Sequence, residues 1–194
     1  MGFEIETNGA WINATLEGHC FDYSLANGLS ELLTSRNVRR IVDLGCGPGW
    51  YVKILKDSHF YVEGYDGNPY TPAISEIVLD DGTCCEQLDL TIPIIFGEPF
   101  ECVLSLEVGE HIPAEYEHLF LDNITNNSSR YIILSWAVEG QGGSGHVNCR
   151  NNDYVIQKML DRGFVEEVDA KEALRSVAHL DWFKNTIMVF RRMD

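Results

Sequence analysis

The stretch Val42-Asp43-Leu44-Gly45-Cys46-Gly47-Pro48-Gly49 decides the fold. An apolar strand, Ile41 to Leu44, runs straight into three glycines at alternate positions. A helix follows at once, Trp50 to Asp57, with Val52, Ile54 and Leu55 as its apolar positions. Glycine permits left-handed backbone and close approach of a ligand, and in an open α/β sheet this turn faces the crevice at the carboxyl ends of the strands. A nicotinamide-type loop reads G-x-G-x-x-G and rests a pyrophosphate on the helix N-terminus. Here the spacing is G-x-G-x-G, and Asp43 stands two residues before the first glycine. That carboxylate repels a pyrophosphate and suits the ammonium of an amino-acid-like ligand.

Reading outward, a second strand (Tyr61 to Tyr65) ends in Tyr65-Asp66-Gly67-Asn68. An acid about 20 residues beyond the glycine turn can accept both hydroxyls of a ribose. A short helix (Ile74 to Val78) and a weak third strand (Glu86 to Leu90) place Asp89 within reach of an adenine amino group. Cys102 to Leu106 is nearly all apolar, as a strand buried on both faces should be. A helix from Pro113 to Asn123, a fifth strand from Tyr131 to Val138 and a loop from Glu139 to Asn148 follow. The remainder reads as a helix (Asp153 to Arg162), a strand (Phe164 to Val168), a helix (Lys171 to Trp182) and a closing strand (Thr186 to Phe190).

Strands alternating with helices predict an α/β domain with a mostly parallel sheet and helices on both faces. No repeat or linker interrupts it, so residues 1–194 are expected to form a single domain. Its core would be 39–194, with 1–38 as a cap segment whose Trp11, Phe21 and Tyr23 pack over one end of the sheet.

The chain has 194 residues and a formal charge of −16. Such acidity disfavours nucleic acid and membrane surfaces as bulk partners. No apolar run approaches the roughly 18 residues of a membrane span, and Glu4 and Glu6 stand where a secretory signal would be basic and then apolar. The six cysteines form no C-x-x-C pair or zinc-finger spacing. A reduced, cytoplasmic protein is expected.

Taken together, Val42 to Gly49, Asp66, Asp89 and the strand Val103 to Leu106 resemble the class I S-adenosylmethionine (SAM)-dependent methyltransferases, over roughly Arg39 to Arg192. The resemblance implies a Rossmann-like fold: a seven-stranded, mostly parallel sheet whose last strand is antiparallel. It implies SAM as the cofactor. Asp43 and the Gly45–Gly47 backbone would hold the methionine part, Asp66 the ribose, and Asp89 with the Leu90 backbone the adenine. Cys46, Gly67, Asn68 and Leu106 complete the expected donor-binding set.

The fourth strand leads into Glu107-Val108-Gly109-Glu110-His111. This E-x-x-E-H spacing is similar to that of metal-assisted O-methyltransferases of the ubiquinone pathway and of small-RNA 2′-O-methyltransferases. The latter add a histidine after the fifth strand, where this chain offers His146. Glu107, Glu110, His111 and His146 would then hold Mg²⁺ or Mn²⁺. Glu107, His111 and His146 are the expected catalytic residues, an imidazole serving as general base in the absence of metal. Otherwise Glu110 and His111 would simply brace the helix start.

The loop from Ser135 to His146 is glycine-dense, and a long loop past a strand end suits a substrate lid. Gln141 and Asn148 beside Trp136 would serve a hydroxyl-rich ligand, and His19 and Tyr23 are a second candidate wall for substrate. The expected activity is O-methylation of a small polar acceptor, a sugar or glycan end group above others. A phenol, carboxylate or amine acceptor, or a silent donor-binding partner protein, are the alternatives. The oligomeric state is left open.

Overall fold

The computed structural model describes residues 4–193; residues 1–3 of the expected cap and residue 194 lie outside the described residues. Seven strands form one sheet: β1 (Arg40–Leu44), β2 (Tyr61–Asp66), β3 (Glu86–Gln87), β4 (Phe100–Leu106), β5 (Ser128–Ser135), β6 (Phe164–Glu166) and β7 (Met188–Arg192). Their order across the sheet is β3-β2-β1-β4-β5-β7-β6. All lie parallel except β7, which runs antiparallel to both β5 and β6. The helices are α1 (Tyr23–Ser35), α2 (Trp50–Asp57), α3 (Thr71–Leu79), α4 (Glu117–Asn126), α5 (Asn152–Leu160), α6 (Val168–Val177) and α7 (Asp181–Thr186). The fold is therefore the Rossmann-like α/β architecture that the glycine turn predicts.

Alternation along the strands feeds two apolar layers. Ile41, Cys102, Leu104 and Ile133 face the layer shared with α1, α2 and α6. Val42, Val103, Ile132 and Leu134 face the other, filled by Phe120 of α4 and Val155 and Met159 of α5. This is the period of two expected of strands covered on both sides. Burying both layers fixes the register Leu44↔Tyr65 and Asp43↔Leu104, which sets the ends of β1 and β2 side by side. A one-residue slip would turn every apolar side chain to the wrong layer.

The opening residues depart from the expectation. Rather than capping one end of the sheet throughout, 23–35 is a core helix whose Leu25, Ala26, Leu29 and Leu33 are buried. Only the residues before it reach the sheet's carboxyl edge. Asp22 caps α1 through a bond accepted from the Leu25 amide at 3.0 Å. Its other oxygen accepts from the amides of His179 (2.6 Å) and Leu180 (2.8 Å). Those amides are withdrawn from helical bonding, which breaks the expected helix Lys171 to Trp182 into α6 and α7. Strand β5 likewise stops at Ser135 rather than Val138, because the indole of Trp136 turns inward and donates to the Asn148 carbonyl at 2.7 Å.

Asp22 makes a stability prediction. Burial raises its pKa, but the bonds from Leu180, Leu25 and His179 outweigh burial and hold it below the ordinary value. Asp22→Ala should cost about 1–3 kcal/mol at neutral pH, and about 2–4 °C of Tm per kcal/mol. A depressed folded pKa contributes stability above the unfolded value and loses it as pH falls through the folded one. The gap between wild type and variant should therefore close in acid, as urea melts across pH would show. A gap that stays constant down to acid unfolding would contradict this role.

Candidate functional site

A cavity of about 380 Å³ opens at the carboxyl ends of β1, β2 and β4. The glycine turn forms its floor. Gly45 (φ +87°) and Gly47 (φ +53°) have backbone that favours glycine. Each is also closely covered: a Cβ on Gly45 would lie 2.2 Å from Val108 Cγ2, and one on Gly47 2.9 Å from His19 Cδ2. Tyr65, at the end of β2, anchors the turn by accepting from the amides of Gly45 (2.7 Å) and Cys46 (3.0 Å).

Three carboxylates stand along one side. Asp43 lines the cavity while only 2% exposed. Burial, then Cys85 and Asp66, push its pKa well above the ordinary range. No Lys or Arg lines the cavity among the described residues, so a carboxyl kept there calls for a cationic ligand. Asp66 accepts from the Gly47 amide (2.8 Å) and the Asn68 amide (2.9 Å), bracing the turn. Asp89 accepts from the amide and hydroxyl of Thr91 (2.8 and 2.7 Å). Burial raises its pKa, but the bonds from Thr91 and Asn8 prevail and keep it low. A buried acid, an acid at the end of β2 and an acid near β3 thus stand in a row, in the order the sequence reading expects. Gly67, Leu90 and Leu106 line the same cavity.

Across from them, Glu110, His111 and His146 present ligand atoms within 4.8 Å of one another. Both imidazoles are oriented from behind: His111 Nδ1 donates to the Gly145 carbonyl (3.2 Å) and His146 Nδ1 to that of Gln141 (3.1 Å). A carbonyl only accepts, so the proton sits on Nδ1 and Nε2 is the basic nitrogen. Burial, with His146 adding to it, lowers the His111 pKa to about 4. The Glu110 carboxylate is wholly buried, and neither oxygen has a hydrogen-bond partner. Burial first, and Glu107 next, push its pKa up. Orphaned buried oxygens beside two back-anchored imidazoles suit a divalent cation.

Glu107 departs from the expected four-ligand set. Its carboxylate accepts from Gln141 Nε2 (2.8 Å) and Thr186 Oγ1 (3.1 Å), and it stands outside the three-residue cluster. Its φ is +54°, uncommon for a residue with a side chain and a strain often concentrated at functional sites. The Ser135 hydroxyl secures this backbone by accepting from the Glu107 amide at 2.8 Å.

His19 and Gln141 line the cavity as expected, but Asn68, Tyr23, Trp136 and Asn148 do not. Asn68 is buried and donates to the Ala14 carbonyl at 3.2 Å. Tyr23 is 61% exposed on the first turn of α1. Trp136 is core, edge-on to Phe120. The Asn148 side chain donates to Glu117 at 3.1 Å. In their place stand Trp11, edge-on to His111 with ring centroids 5.0 Å apart, and Phe21, Tyr51, Trp182 and Phe183. Apart from Tyr51, on the helix that follows the glycine turn, those residues lie in segments with no motif. Their signal was limited to aromatic clustering near Trp11 and Phe21.

Residues 18–128 match the family model described as a methyltransferase domain. Among solved structures, magnesium protoporphyrin IX methyltransferase (ChlM) from Synechocystis with bound S-adenosylhomocysteine (SAH) is 18% identical, covering 86% of this chain and 81% of that one, with TM-score 0.65. The sugar N-methyltransferase KedS8 from Streptoalloteichus is 14% identical, covering 89% and 88%, with TM-score 0.70. The amino pentose methyltransferase CalS10 from Micromonospora echinaspora is 13% identical, covering 87% and 90%, with TM-score 0.65. At these identities the likeness is one of fold. No curated protein matches the sequence significantly.

Proposed function

The chain belongs to the methyltransferase-domain family of SAM-dependent enzymes, and from that premise we propose that it methylates a hydroxyl of a small polar acceptor, a sugar or glycan end group. The observation that carries the reading is the back-anchored imidazole of His111 beside buried Glu110, at the far side of a cavity whose other side is a row of acids. SAM, when bound, supplies a methyl group already activated by its sulfonium. Asp43, Asp66 and Asp89 hold its ammonium, ribose and adenine in this reading, while the Gly45–Gly47 turn lets the ligand lie against the main chain. His111 Nε2, neutral at physiological pH, accepts the acceptor's hydroxyl proton, and Gly145 fixes the ring for that transfer.

The acceptor's character follows from the walls. Gln141 and Ser144 offer hydrogen bonds, and Trp11 an aromatic face. With no Lys or Arg lining the cavity among the described residues, a phosphate-bearing acceptor would find no fixed positive charge there and a row of acids opposite, which agrees with a small neutral ligand rather than nucleic acid. Residues 4–21 act as the cap in this reading, and α1 belongs with the core. No helix among the described residues is long and apolar enough to cross a membrane.

A metal-assisted version rests on the orphaned Glu110 oxygens. Glu110, His111 and His146 would hold Mg²⁺ or Mn²⁺, and the cation would lower the pKa of the acceptor hydroxyl. One assay tests both: enzyme and SAM are incubated with a panel of sugars, phenols, carboxylic acids and amines, before and after EDTA. Mass spectrometry should find an added CH₂ on a sugar oxygen. Methylation confined to amines would overturn the hydroxyl reading. Full turnover after EDTA, unchanged by added Mg²⁺ or Mn²⁺, would remove the cation.

A further inference from the structure

Cys46 lies between Gly45 and Gly47, two of the three positive-φ glycines of the turn, and its residue lines the cavity. Cys85 immediately precedes β3 and is 1% exposed. Strand β2 brings them together from opposite sides. The Cys46 amide donates to Tyr65 O at 3.0 Å, while Tyr65 pairs with Glu86, the neighbour of Cys85. Between them β2 carries Gly64, which has no side chain to keep the thiols apart. A Cβ built there would lie 2.6 Å from Cys85 Sγ and 3.1 Å from Cys46 Sγ. Both sulfurs therefore occupy the space a β2 side chain would fill, and one of the two residues, Cys46, also lines the cavity.

We propose that Cys46 and Cys85 form a peroxide-sensitive thiol pair whose disulfide closes the donor site. The chemistry needs a peroxide as oxidant. One thiolate attacks a peroxide oxygen, the O–O bond breaks, water leaves after protonation, and a sulfenic acid remains. The second thiol attacks that sulfur, the S–O bond breaks, and another water leaves. Two thiols lose two electrons and two protons in all, and H₂O₂ becomes two waters.

The thiols differ in a useful way. Cys85 is the more acidic, its pKa lowered by Cys46 first and by Ser75 against the pull of burial, while burial holds the Cys46 thiol well up. Because Cys46 lines the cavity, a ligand bound there would cover the side from which peroxide would approach the pair. Bonding draws Cys46 toward Cys85, and the flanking Gly45 and Gly47 let the turn follow. That displaces the amides and the Asp66 brace on which donor binding rests, the assignment being the one proposed above for this cavity.

The test treats the reduced full chain with H₂O₂, with and without SAH, then maps disulfides by mass spectrometry and measures SAH affinity by calorimetry. A Cys46–Cys85 link is expected without SAH and not with it. Affinity should fall about tenfold or more, as for loss of a turn's hydrogen bonds, and return with dithiothreitol. Cys85→Ala, which changes a residue outside the cavity, should keep its SAH affinity through the same treatment. The proposal is overturned if both thiols remain alkylatable, if the link joins exposed Cys20 or Cys84 instead, or if the link leaves affinity unchanged. It is overturned equally if Cys85→Ala loses affinity as wild type does. Reduced protein that binds no SAH would instead contradict the donor assignment, and the disulfide map would still decide the sulfur chemistry.

Discussion

Asp43→Asn should weaken SAM and SAH binding by about thirty- to several-thousand-fold, the roughly 2–5 kcal/mol typical of removing one partner from a buried charge pair. Asparagine keeps the shape and removes the charge. The carboxyl sits 2% exposed in a cavity that no Lys or Arg lines among the described residues, and burial, Cys85 and Asp66 all work against its ionisation. Nothing in that setting rewards an acid for the fold's sake. A group whose folded pKa is raised diminishes stability at neutral pH, so the ligand-free variant should melt no lower than wild type. Calorimetry and thermal melts read the two arms separately. Unchanged donor affinity would remove Asp43 from the ammonium; a collapsed fold would assign it to structure.

The second large effect falls on turnover. His111→Ala should lower kcat by about 10²–10⁴, the usual contribution of a positioned acid or base, while SAH affinity stays as in wild type. With its pKa held near about 4, the imidazole is neutral across the physiological range and its Nε2 lone pair is available. So weak a base takes the proton late, as the acceptor oxygen is already giving up its electron pair. Single-turnover measurements with saturating donor isolate this step from binding and release. A fall of less than about tenfold would sink the base assignment, and an equal loss of SAH affinity would make His111 a packing residue of the cavity.

That those two residues line the cavity was legible because the signals that mark them are local. Asp43 is read from its distance to Gly45, and His111 from its place in E-x-x-E-H at the end of a buried strand. The same locality made α2 readable to its last residue, since Gly49 before it and Ser58 after it bound an apolar stripe. What escaped depends on contacts distant in sequence. The break between α6 and α7 is made by Asp22, 157 residues from His179, and no window around Lys171 to Trp182 contains that information. Asn148 reads as a substrate hydrogen-bonder until Glu117 is found beside it. Trp136 reads as an aromatic wall but is core, and the cavity is lined instead by Trp11, supplied from more than a hundred residues away in the chain. Helix α1 was different: Asp22 followed by Leu25, Leu29 and Leu33 carries both a cap and a helical period, a signal outweighed by the aromatic residues just before it.

The staple at Asp22 has a consequence for how the crevice comes into being. Phe21, one residue before it, and Phe183, just past the amides it binds, border the same cavity. During vectorial synthesis the glycine turn and the acids of β1 and β2 emerge early, yet one side of the chamber stays missing until about residue 183 leaves the ribosome. A nascent chain therefore holds the recognition elements well before it owns an enclosure in which to use them.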